Sequence, residues 1–124
     1  MSNFKELRVL DVSRFVEKKG EFNYLAWAHA ADILLQYDPM ATWEHQKPEV
    51  FNDTLMVFCT VHAFGKSMTM QLPVMNYRMQ AIKNPNATEV NNAMQRCLAK
   101  CIALFGIGLH LFQGEDLVDL DPLE

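Results

Sequence analysis

"TLMVFCTVHAFGKSMTMQLPV", residues 54–74, decides the fold of this chain. Val57, Phe58, Thr60 and Val61 are β-branched or aromatic, the side chains that suit a pleated, half-buried surface, so 54 to 64 is expected to be a strand. Beyond it Met68, Met70 and Leu72 alternate with Ser67, Thr69 and Gln71. That period of two turns one face of a strand inward and the other toward water. Gly65-Lys66 between the runs marks a tight turn. The stretch reads as an antiparallel hairpin with one face in need of cover.

Helical patterns on either side supply the cover. In "NYLAWAHAADILLQYDP", residues 23–39, Trp27, Ala31, Leu34 and Leu35 recur at helical spacing. Asn23 is a suitable N-cap and Asp38-Pro39 a stop, which predicts a helix over 24 to 37 with His29 and Asp32 on its wetter side. Downstream, a helix is predicted over 88 to 105, starting at Thr88. Its apolar stripe is Val90, Met94, Cys97, Cys101 and Leu104 or Phe105, and Gly106 stands where a left-handed residue ends such a helix. The rest is weaker in signal. A short strand is expected at 42 to 47, a short helix at 75 to 83 broken by Asn84-Pro85-Asn86, and a final strand in "GLHLF" at 108 to 112. The fold class is therefore α+β, with both long helices packed on one face of an antiparallel sheet. The organisation expected is an N-terminal arm or short helix at 1 to 21, a core domain at 22 to 114 and an acidic tail at 115 to 124.

The chain of 124 residues fits one domain, and its three cysteines do not suggest a disulfide framework. The N-terminus lacks the pattern of a secretory signal, and the apolar runs are too short to span a bilayer. A cytoplasmic protein with no membrane contact is expected. The net charge of −4 conceals an asymmetry. Five acids and no base lie in 115 to 124, whereas residues 62 to 114 hold Lys66, Arg78, Lys83, Arg96 and Lys100 against Glu89 alone. Such a split speaks about partners rather than about fold.

Cys59, His62, Cys97 and Cys101 are residue types that bind zinc. Cys59 and His62, however, fall on opposite faces of a strand, and the other two thiols lie inside an apolar stripe. No metal is expected. Nothing assembles a nucleophile with its base and orienting group, and no phosphate-cradling G-x-x-x-x-G-K occurs, so neither catalysis nor a nucleotide cofactor is expected. Asn92, Arg96 and Lys100, by contrast, share one helical stripe with Glu89. Arg presents a planar fork suited to phosphate and Lys a point charge, and residues four apart stand about 6 Å from each other along the axis. Ala99 and Ala103 beside them would let a polymer approach. Tyr77-Arg78 upstream sets an aromatic beside a cation, the pair used to stack a base and hold a phosphate. The competing reading pairs Arg96 with Glu89 or Asn92 on a solvated face.

"LPVMNYRMQAIKNP" (72–85), "NNAMQRCLAKCIALFGIGLHLF" (91–112) and "GEDL" (114–117), with the earlier "YLAWAHAADILLQYDPMATWE" (24–44), resemble the bacteriophage single-strand annealing proteins of the Erf and Sak type. The resemblance spans roughly 22 to 117. It implies ATP-independent binding of single-stranded DNA, annealing of complementary strands in homologous recombination and DNA repair, and a homo-oligomeric ring or helical filament. It also implies a curved sheet like that of the Rad-type annealing proteins, and a phage exonuclease and a single-strand-binding protein as partners. Members of that family often continue past such words into a partner-binding region. Here seven residues follow "GEDL", so contacts through that region are not carried over. The candidate DNA-binding residues are Arg96, Lys100, Lys83, Arg78, Lys66, Tyr77 and Asn92. The rival reading is a protein-interaction module, an adaptor or inhibitor, that uses a Met-rich surface.

Overall fold

A computed structural model describes residues 4–19 and 22–113 and has an α+β fold built on an open antiparallel sheet. The expected hairpin is its centre. Strand β5 (Thr54–Ala63) pairs with β6 (Lys66–Pro73) from Ala63–Lys66 to Met56–Pro73. The other edge of β5 is shared by two short strands. β3 (Thr42–His45) pairs with residues 59–62, and β4 (Glu49–Phe51) with residues 54–56. Three residues between Pro48 and Asn52 are too few to carry a periodic signal, so β4 was not legible in the sequence. The hairpin turn is Phe64-Gly65, one residue earlier than expected, with φ of 52° and 77°. Positive φ at both central residues gives the turn whose twist matches the flanking strands.

Alternation along β5 buries Val57, Cys59, Val61 and Ala63, and β6 adds Leu72. Helix α3 (Ala87–Ala103) lies on that face. The thiols of Cys97 and Cys101 stand 3.3 Å from the Met70 carbonyl and 3.2 Å from the Met68 carbonyl, so both cysteines serve as small apolar contacts with a weak donor. Helix α2 (Trp27–Tyr37) packs against α3 and buries Ala30, Ala31 and Leu34, while Leu35 is exposed. Ala99 and Ala103 are 3% and 1% exposed. They are filled by this chain's own packing and offer no approach to a polymer.

Several local expectations are corrected. Helix α3 starts at an Asn86 N-cap rather than at Thr88. The Asn86 side chain accepts the Glu89 N–H at 2.9 Å, and the Glu89 carboxylate accepts the Asn86 N–H at 3.0 Å, a reciprocal capping box. Helix α2 starts at Trp27 rather than 24, because Phe22–Leu25 is strand β2, antiparallel to β1 (Val16–Lys19). Asn23 lies opposite Lys18 there and is not a cap. Alternating Phe22 and Tyr24 favour the strand.

Residues 75–83 form a loop, not a helix, since the Asn76 side-chain carbonyl takes the N–H groups of Arg78 (2.8 Å) and Gln80 (3.1 Å) that a helix would need. "GLHLF" is not a strand but a 3-10 turn at Leu109–Leu111, reached through Gly106 and Gly108 at φ 116° and 70°. Near the N-terminus, helix α1 (Phe4–Arg8) and the residues after it bring Leu7 and Val12 into the core. The expected acidic tail, 115 to 124, lies outside the described residues.

Candidate nucleic-acid interface

Helix α3 is the rigid part of the candidate site, because one of its faces is fastened to β5 and β6 along its length. Its spacing sets Asn92, Arg96 and Lys100 on one flank, with Asn92 exposed and both cations half-buried. Glu89, which the sequence offers as a partner for Arg96, is engaged with the Asn86 N–H. Among the described residues no ion pair or hydrogen bond engages the Arg96 guanidinium. The Lys100 ammonium lies 5.8 Å from the centroid of the Phe112 ring, a cation–π distance.

The other candidates extend the site in two directions. The loop after β6 is closed by the Met75–Ala81 bridge and the Asn76 N–H to Gln80 carbonyl bond of 2.9 Å. It presents Tyr77, 79% exposed, with the Arg78 guanidinium 5.9 Å from its ring centroid. Lys83 is exposed beside Asn84, whose N–H donates to the Asp53 carbonyl at 2.7 Å. Lys66 stands at the opposite end of the sheet, where the hairpin turns, 5.8 Å from the Phe105 ring centroid. From Lys66 to Pro73 is about 24 Å at roughly 3.4 Å per residue. The fold thus joins Tyr77 with Arg78 and Arg96 with Lys100, and keeps Lys66 apart from Tyr77, Arg78 and Lys83.

Alternation set Ser67 and Thr69 on the water-facing side of the sheet, but their partners there were not legible in the sequence. There the Thr60 and Thr69 hydroxyls are 2.8 Å apart, His62 Nδ1 is 2.6 Å from Ser67 Oγ, and His62 Nε2 is 3.3 Å from Glu44 Oε1. His62 and Ser67 become neighbours once the turn is known, but Glu44 joins them only through the β3 register. A second missed feature is a stack in which Arg14 lies 5.0 Å from the Phe15 ring centroid and Phe15 is 4.6 Å from His29.

Cys59 points to the opposite face from His62, as alternation requires, and is buried. The hydrogen bond with Cys101 and burial both push the Cys59 thiol up, and burial pushes Cys97 up to about 12. Cys97 is therefore a protonated, unreactive thiol at neutral pH. Met68 and Met70 pack against the core rather than forming an exposed Met-rich surface. No helix of the described residues is long and apolar enough to cross a membrane.

Comparison with known proteins adds one positive finding. The family model described as Sak Single Strand Annealing Protein matches residues 2–123, nearly the whole chain. No curated protein matches it.

Proposed function

The chain belongs to the Sak single-strand annealing protein family, and from that membership we propose that it binds single-stranded DNA and anneals complementary strands in recombination without hydrolysing ATP. The family match over residues 2–123 is the observation that carries this reading. The chemistry required is modest. Annealing needs phosphates neutralised and bases left accessible, not bonds made or broken. An Arg96 guanidinium with no partner among the described residues, one turn from Lys100 on a helix locked to its sheet, suits the first need. Asn92 lies on the same flank. Arg78 and Lys83 would extend the cationic path beyond one end of α3, and Lys66 beyond the other. Exposed Tyr77 would stack on or wedge between bases.

A homo-oligomeric ring or filament in a phage-infected bacterial cytoplasm, working beside an exonuclease and a single-strand-binding protein, completes the reading. The test is the pairing of dye-labelled complementary oligonucleotides in the presence of a chelator and the absence of ATP. Pairing should be faster than the spontaneous rate, and the mass of the protein in solution should exceed that of one chain. A pairing rate equal to the protein-free control would overturn the proposal.

A further inference from the structure

The open face of the sheet carries a constellation that strand binding along α3 does not use. Glu44 on β3, His62 on β5 and Ser67 on β6 stand side by side, joined at 3.3 Å and 2.6 Å. The two-residue turn closes on the pair Ala63–Lys66. The next pair out, His62–Ser67, is therefore the non-hydrogen-bonded kind, whose side chains stand closest. With the Nε2 proton donated to Glu44, Nδ1 accepts the Ser67 hydroxyl proton, and Ser67 Oγ is left with lone pairs to offer.

Beside this relay is a shallow, open cavity of about 280 Å³ whose lining includes Asp38, Met40, His62, Phe64, Lys66 and Ser67. The two Asp38 oxygens accept the N–H groups of Met40 (3.1 Å) and Phe64 (2.7 Å), and each keeps a lone pair. The polar wall thus offers acceptors from Ser67 and Asp38. Met40 and Phe64 supply apolar surface, and Lys66 is the one cation in the lining.

We propose that this cavity holds one base of the bound strand while its neighbours stay free to pair, with a preference for cytosine or adenine over thymine, and that Lys66 takes the adjoining phosphate. The inference rests on the strand-binding reading above and adds base recognition to it. The volume falls just below the ligand-pocket range of about 300–1,000 Å³, which suits a single base rather than a larger ligand. The exocyclic amino groups of cytosine and adenine donate hydrogen bonds, whereas thymine presents the O4 acceptor and a methyl group at the corresponding edge. Acceptor would then face acceptor. The polarisable Met40 thioether, on a side chain 84% exposed, is free to lie against the ring.

The test uses the full chain with 2′-deoxycytidine 5′-monophosphate and thymidine 5′-monophosphate in saturation-transfer NMR, alongside oligo(dC) binding across a salt series. The cytosine ring protons should receive saturation several-fold more strongly than the thymine ring protons, and Ser67→Ala should erase the difference. Ser67→Ala should also weaken oligo(dC) binding about three- to tenfold with no change in salt slope, the loss expected of one hydrogen bond. Thr60→Ala, on the same face but outside the cavity, should leave both readouts unchanged. Equal saturation of the two nucleotides by the unaltered protein overturns the proposal. So does a cytosine preference that survives in Ser67→Ala. If oligonucleotides then still bind with the original salt slope, the base pocket alone is lost. If no oligonucleotide binds but the cytosine nucleotide does so through Ser67, the pocket stands and the strand-binding reading falls.

Discussion

The backbone N–H of Phe64 donates to Asp38 Oδ2 at 2.7 Å, tying the turn of the central hairpin to the end of α2. The two residues are 26 positions apart, and each removes a local difficulty of the other. Phe64 sits at φ 52°, where a bulky residue is disfavoured, and needs an external anchor. Asp38 follows the last residue of α2 and redirects the chain, its other oxygen accepting the Met40 N–H at 3.1 Å.

Asp38→Ala should therefore lower stability by about 1–3 kcal/mol, the range for a lost bond to a charged acceptor. Asp38→Asn keeps one acceptor and should lose less. Urea midpoints of the three proteins give the comparison. Equal midpoints would mean that the turn holds itself.

Gly106→Ala should be among the most damaging small substitutions. An added Cβ would lie 2.9 Å from the Phe4 carbonyl oxygen and 3.0 Å from the Arg8 nitrogen, at φ 116°. Backbone atoms cannot step aside as a side-chain tip can, so a loss above about 2 kcal/mol is expected. Gly65→Ala is the control, because at φ 77° its Cβ would meet nothing within 4 Å. Only the backbone term of about 1–2 kcal/mol should remain there. Thermal melting of both variants separates strain from collision.

The Cys97 thiol carries a pH dependence. Burial raises its folded pKa from 9.0 to about 12, so above pH 9 the unfolded chain loses this proton while the folded chain holds it. The stabilisation is fully present below pH 9 and declines as pH rises toward 12, amounting to at most about 1–2 kcal/mol by pH 10.5. Unfolding by urea at pH 8 and pH 10.5 should show a smaller drop for Cys97→Ala than for the unaltered chain. An identical drop would remove Cys97 from the account.

Arg96→Ala and Lys100→Ala should each fold and bind every single-stranded sequence more weakly. Each should flatten the plot of log affinity against log salt by about 0.7, the share of one phosphate contact on a single strand. Variants that bind with the original slope would show that the DNA path runs elsewhere.

Much of this architecture was legible in the chain. Alternating Met68, Met70 and Leu72 and the run through Val57 and Val61 specified the hairpin and its inward face. The Cys97–Cys101 spacing specified which side of α3 meets it. The candidate cations were legible as a stripe, but their separation was not. Nothing local sets Lys66 at one end of the sheet and Arg78 at the other until the strands are paired. Short or competing segments were misread for a related reason. Asn76 satisfies its own loop, Asn86 rather than Thr88 finds Glu89, and Phe22–Leu25 becomes a strand because a partner at Val16–Lys19 is there to receive it.

The sequence by itself determined the periodic elements, the burial of Cys97 and Cys101 and the basic character of the second half, because each depends on residues close together in the chain. Only the tertiary structure decided that Asp38 holds Phe64, that Glu44, His62 and Ser67 meet across three strands, and that Gly106 must pass within contact of α1. Those contacts depend on the register between distant segments. A shift of one residue in a strand turns every side chain to the other face, and no local pattern in β3 says where along β5 it will pair.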